Sequence, residues 1–188
     1  MNRNLIYFLI VVISTILFIG CSDDDDPMGP GNQGSFSISI SGAISKNITG
    51  FAWFWGGTVE GESGFVLWLS TDDDMDMGNT GESLWFAREG TARPGTGSHI
   101  IGNYDESYEE GWNPQHFFAW YSDDTHYFWS NSGSMNVTTS SSNRFAGNFQ
   151  FSAIGYTSND WENEVEVTIS GEFDAVGGDF SGFVKAFE

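Results

Sequence analysis

The feature that most narrows the fold of this chain is a period of two. In Phe36-Ser-Ile38-Ser-Ile40-Ser every second residue is apolar and every residue between is serine. Successive side chains of a strand point to opposite faces, so such a stretch offers one face to a core and the other to water. The same alternation recurs in Met135-Asn-Val137-Thr-Thr139, Phe145-Ala-Gly147-Asn-Phe149-Gln-Phe151 and Val165-Glu-Val167-Thr-Ile169. In the run from Gly64 to Ser70, Phe65, Leu67 and Leu69 share one face, with Val66 and Trp68 opposite. Residues Phe180 to Phe187 read as a closing strand. No stretch after residue 34 has helical spacing.

Between these runs lie clusters of Gly, Asn, Asp and Ser, the residues that make turns. The pattern predicts an all-β domain of about ten short strands, either a β-sandwich or a small antiparallel β-barrel. Composition agrees: 24 Gly, 17 Phe, 8 Trp and 6 Tyr suit strands and turns. A domain over residues 35–188 is large enough to bury a core without a disulfide, and the single cysteine forms no internal one. Three late Gly-x-Phe units, at Gly147/Phe149, Gly171/Phe173 and Gly178/Phe180, read as places where a ring lies across a backbone.

The amino terminus has a different character. Residues 1–20 carry Arg3 and then an uncharged, mostly apolar run from Leu5 to Ile19, short for a spanning helix and suited to a signal peptide. A short membrane anchor is the alternative. Phe18-Ile19-Gly20-Cys21 resembles the lipobox of bacterial lipoprotein signal peptides, with Phe18 where leucine is commonest. That resemblance implies cleavage after Gly20 and lipid on Cys21, which becomes the new terminus. Two or more acyl chains hold a protein stably at a membrane. Ser22-Asp23-Asp24-Asp25-Asp26 resembles the export tag of Bacteroidota surface lipoproteins, which implies an outer-membrane protein facing the medium. The alternative is a solvated acidic spacer. Residues 27–34, PMGPGNQG, complete a flexible tether over 21–34.

The segment GSMNVTTSSSNRFAGNFQFSA, with VEVTISGEFDAV after it, resembles a family of Bacteroidota lipoprotein β-domains over roughly residues 133–175. It implies a β-domain on a lipid anchor, and no activity.

Charge removes some partners. The chain has 26 acids against 6 bases, and every acid follows Cys21. Phosphate contacts need clustered Lys and Arg, so nucleic acid and a basic contact with anionic lipid are excluded. Attraction for cations remains. Asp72, Asp74 and Asp76, with Gly78 following, form an irregular candidate calcium loop. It lacks the EF-hand pattern, because the glycine falls at position seven and Ser83 stands at position twelve. The plain alternative is a solvated loop.

His99, His116 and His126 are scattered, although His116 and His126 could share a hairpin around Asp123-Asp124. Carboxylates such as Asp105, Glu106, Glu109 and Glu110 are numerous in a chain this acidic, and none stands out as a pair. With no nucleophile elbow and no phosphate loop, no residue is assigned a catalytic role. Glu162, Glu164 and Glu166 read as a charged edge or solvent face.

The aromatic residues carry the functional reading. Trp53 and Trp55 share a face opposite Phe54, and the stretches HFFAWYS and HYFWS are aromatic on both faces. A single core buries one face of each strand. Rings on the other face form an exposed patch, pack beneath long loops or lie inside a second layer, and the alternative to a binding patch is that they fill a wide sheet-on-sheet core. Trp53, Trp55, Trp120 and Trp129 are therefore candidate ligand-binding residues, and a glycan is the expected ligand, through ring stacking with nearby amides and carboxylates. The alternatives are a structural or adhesive surface protein without a small ligand, and a lipid-anchored glycoside hydrolase.

Overall fold

A computed structural model of the chain describes residues 33–59, 62–73, 81–105, 113–157 and 160–178. Among these residues every regular element is a strand: β1 (Gly34–Gly42), β2 (Lys46–Val59), β3 (Glu62–Ser70), β4 (Ser83–Glu89), β5 (Gly97–Ile101), β6 (Phe118–Ser122), β7 (His126–Ser140), β8 (Arg144–Thr157) and β9 (Asp160–Gly177). Eight of them form a closed antiparallel barrel in the order β1-β2-β3-β4-β6-β7-β8-β9, and β9 returns to pair with β1. Of the two architectures expected, the barrel is the one formed. Among the described residues the strands number nine; the expected strand over 180–187, with Phe180 of the third Gly-x-Phe unit, lies outside them.

The ninth strand, β5, patches the wall. β6 pairs with β7 over residues 127–129, and β5 takes over the same side of β7 at residues 133–137. Between the two footprints β7 carries a bulge at Ser130/Ser132. The buried Ser130 hydroxyl ties the join: it accepts from the Ala119 N–H at 2.9 Å and donates to the Gly102 carbonyl at 2.8 Å.

The period of two explains the inside. Phe36, Ile38 and Ile40 of β1 are buried while Ser35 and Ser39 are exposed, and the inward positions of every barrel strand join one core. An eight-stranded barrel has an interior just wide enough for side chains. Here phenylalanine fills it: Phe54, Phe65 and Phe145 lie with ring centroids 5.1–6.1 Å apart, and Phe86 meets Phe149 at 4.7 Å. The Gly-x-Phe units of β8 and β9 belong to this core, with Gly147 opposite Phe173 and Gly171 opposite Phe149.

Both ends of the barrel are tied. At one, Arg88 is buried over the Phe117 ring and donates to the Ala92 carbonyl at 2.8 Å, while the Ser140 hydroxyl donates to the Pro94 carbonyl at 2.6 Å. Residues 90–96 are thereby held against that end. At the other, Lys46 donates to Glu82 and to Asp123, joining the starts of β2, β4 and β7.

The outside is divided. β1, β8 and β9 show Ser35, Ser39, Asn148, Gln150, Glu166 and Glu172 to solvent. β1 pairs with β9 over residues 167–174 only, so Glu162, Glu164 and Glu166 lie on the stretch of β9 that runs past β1 with β8 on one side, and all three are exposed to solvent. A barrel that spans a bilayer has an apolar band around its whole outside and a polar inside. This barrel has the reverse arrangement along β1, β8 and β9.

Candidate functional site

The other half of the outer surface is aromatic, and register explains why. Trp53 of β2 pairs with Trp68 of β3, Trp68 with Trp85 of β4, Trp85 with Trp120 of β6, and Trp120 with Trp129 of β7. Five tryptophans thus stand directly opposite one another across five adjacent strands. All occupy positions that alternate with core residues, so all project from the outer surface. Directly opposed side chains in a sheet lie close enough to interact, and aromatic pairs are among the favourable ones.

Exposure changes along this row. Trp53 and Trp68 are 1% and 4% exposed and form a second small cluster with Phe51, Trp55, Trp85 and Val176. Their rings lie 5.4 Å apart, and Trp68 stacks on Trp85 at 5.0 Å and 22°. Trp120 is 41% exposed, and Trp129 is half-buried. Of the four candidate ligand-binding tryptophans, Trp53 is therefore corrected: covered on every side, its ring offers no free face. Trp55 packs at the buried end. Trp120 and Trp129 lie at the open end, next to each other.

Beyond Trp129 the row runs into a cleft of about 290 Å³ lined by Asn103, Asp105, Trp129, Ser130, Asn131, Ile154, Tyr156 and Glu164. Two interruptions of the strand ladders shape it. One is the β7 bulge at Ser130/Ser132; the other is a register shift of β8 against β9 between Gly155 and Thr157. Bulges re-aim side chains and are common beside functional sites. Tyr104 is tied beside the cleft by the hydrogen bond from its N–H to the carbonyl of the lining residue Ser130 at 2.8 Å. Its ring lies 6.3 Å from Trp129 and 5.4 Å from Phe118.

The cleft is polarised. Tyr156 donates its hydroxyl proton to Glu164 at 2.7 Å. That bond, with the nearby charges of Glu164 and Asp105, holds the phenol above its ordinary pKa, so it stays a donor. Sequence reasoning named Asp105 as one acid among many and Glu164 as a solvent charge. It passed over Tyr104, Tyr156, Asn103 and Asn131. The alternation Ile154-x-Tyr156 was available as a signal, but the bulge that gathers these residues leaves no mark in composition.

Of the candidate calcium loop, Asp72 is described, whereas Asp74 and Asp76 lie outside the described residues, among which no three metal-ligating side chains converge. His116 bonds Asn113 before β6 begins, whereas His126 bonds Asp123 beyond the far end of β6. The expected two-histidine hairpin site is thus corrected, because the length of β6 separates them. His99 bonds the Gly95 carbonyl and sets its ring edge-on to Phe117. Of the acids weighed as a hydrolytic pair, Glu106, Glu109 and Glu110 also lie outside the described residues.

No family model, curated protein or solved structure matches the chain. The residues themselves therefore carry the functional argument.

Proposed function

We propose that this chain is a surface-displayed lipoprotein whose barrel binds glycan on its outer aromatic face. The observation that carries the binding part is the open end of the tryptophan row, where Trp120 and Trp129 stand side by side next to a cleft bearing two amides and two carboxylates. A sugar ring has apolar C–H faces and a polar rim of hydroxyls. Flat rings take the faces, and amides and carboxylates take the hydroxyls. The interior of the barrel is filled with phenylalanine, so the outer surface is where a ligand has room. Nothing in the reading calls for catalysis.

The location part rests on the sequence. Lipid on Cys21 anchors the chain, Ser22 and Asp23 to Asp26 direct it outward, and the tether delivers it to β1 at Gly34. A glycan array probed with the native protein and with Trp120→Ala and Trp129→Ala tests the binding. Native binding to at least one glycan class, lost in both variants, supports it. An array without signal overturns it.

A further inference from the structure

We propose that the cleft beyond Trp129 is a receptor for an organic ammonium group. Two of its walls are the rings of Trp129 and Tyr156, which meet at 69° with centroids 6.1 Å apart; Tyr104, adjoining the lining, stands 6.3 Å from Trp129. A cation within about 6 Å of a ring centroid is attracted by the negative face of the ring, and tryptophan and tyrosine are good partners. The Tyr156 hydroxyl, by donating to Glu164, leaves its ring more electron-rich. Asp105 and Glu164 add two negative charges at the rim, and Asn103 and Asn131 add carbonyl acceptors.

The location of the protein's own bases favours a cation over a neutral ligand. Lys46 is bonded to Glu82 and Asp123, and Arg144 to Asp174. Arg88 donates to Ala92 and Gln115, and Arg93 to Ser140. These four are the Lys and Arg residues of the described structure, and none forms an ion pair with Asp105 or Glu164. The two carboxylates of the cleft thus have no internal counter-charge among the described residues. A bare metal ion wants several oxygens at short range. Aromatic walls with carboxylates at the rim suit instead an organic ammonium, either a quaternary head, which is weakly hydrated, or the protonated amine of an amino sugar, whose N–H groups the carboxylates and amide carbonyls accept.

The test is an NMR titration of the full chain at constant ionic strength, following the Trp129 indole N–H. One pair of probes is choline and its neutral isostere 3,3-dimethylbutan-1-ol; the other is glucosamine and N-acetylglucosamine. The expected result is saturable binding of choline or glucosamine, with each neutral counterpart weaker by about tenfold or more. The stronger of the two cations identifies the source of the ammonium. Asp105→Asn with Glu164→Gln, both at exposed positions, should weaken the cation by about tenfold at unchanged melting temperature. Equal binding of cation and neutral isostere overturns the proposal. So does cation binding untouched by the double variant, or no shift at Trp129 with either cation. Choline carries no sugar ring, so this outcome is separable from that of the glycan array.

Discussion

Phe149 lies directly across the β8–β9 ladder from Gly171, and two residues along Phe173 lies across from Gly147. The relationship is reciprocal: each strand supplies a gap and a ring to the other. The two rings stack at 6.3 Å and 25° inside the barrel. A Cβ on Gly171 would sit 2.4 Å from the Ser37 carbonyl, and one on Gly147 would sit 2.3 Å from the Asn136 carbonyl. Both neighbours are backbone and cannot swing aside. Gly171→Val is expected to cost about 1–3 kcal/mol by overpacking. Phe149→Ala should cost about 3–5 kcal/mol by leaving a cavity. Urea denaturation measures both; a Gly171→Val protein as stable as the native one would remove the packing account.

The tryptophan row should divide under mutation. Trp53→Ala deletes a ring that is 1% exposed and is expected to cost about 3–5 kcal/mol. Trp120→Ala deletes one that is 41% exposed and should cost about 1 kcal/mol or less. Thermal melts of the two variants check the contrast. Equal losses would mean that the two ends of the row are covered alike.

Asp123 makes stability depend on acid. Burial pushes its carboxyl up, but the Thr125 N–H, the Tyr121 and Thr125 hydroxyls and the His126 ring together outweigh this and hold it well below the usual carboxylate range. A carboxylate depressed in the folded state stabilises above its unfolded pKa, near 3.9, and loses that contribution as pH falls from there toward the folded value. Asp123→Asn should therefore be less stable than native at pH 7, and the gap should narrow below about pH 4. Urea midpoints from pH 2 to pH 7 give the answer; a gap that stays constant would exclude the linkage.

Replacing Asp23 to Asp26 by alanine tests location apart from folding. The acids precede β1 and are expected to leave lipid attachment at Cys21 and the melting temperature unchanged, while whole cells lose cleavage of the domain by added protease. Continued cleavage would show that the acidic run is a spacer.

Much of the fold could be read from residue order. The alternation in Phe36–Ser41 and Phe145–Phe151 specified both the strands and the face each buries, since period two leaves no other way to shield the phenylalanines. Closure could not be read. Sandwich and barrel use the same alternating strands, and the difference lies in whether β1 finds β9, a pairing between the two ends of the domain. The site was legible in kind and illegible in place. Abundant tryptophan pointed to an aromatic surface, but the alignment of Trp85, Trp120 and Trp129 depends on cross-strand register. The gathering of Tyr104, Tyr156 and Glu164 depends on two ladder irregularities that no local pattern announces.

The β1–β9 seam has a consequence in time. Ser35 is bonded to the strand that carries Asp174, and the stretch between them is nearly the whole barrel. The first strand therefore waits, with one side open, until the last has been synthesised. Pairings this far apart in sequence form slowly. The barrel wall therefore stays open along β1 for as long as β9 is missing, and its closure is a late step that depends on the two ends of the domain meeting.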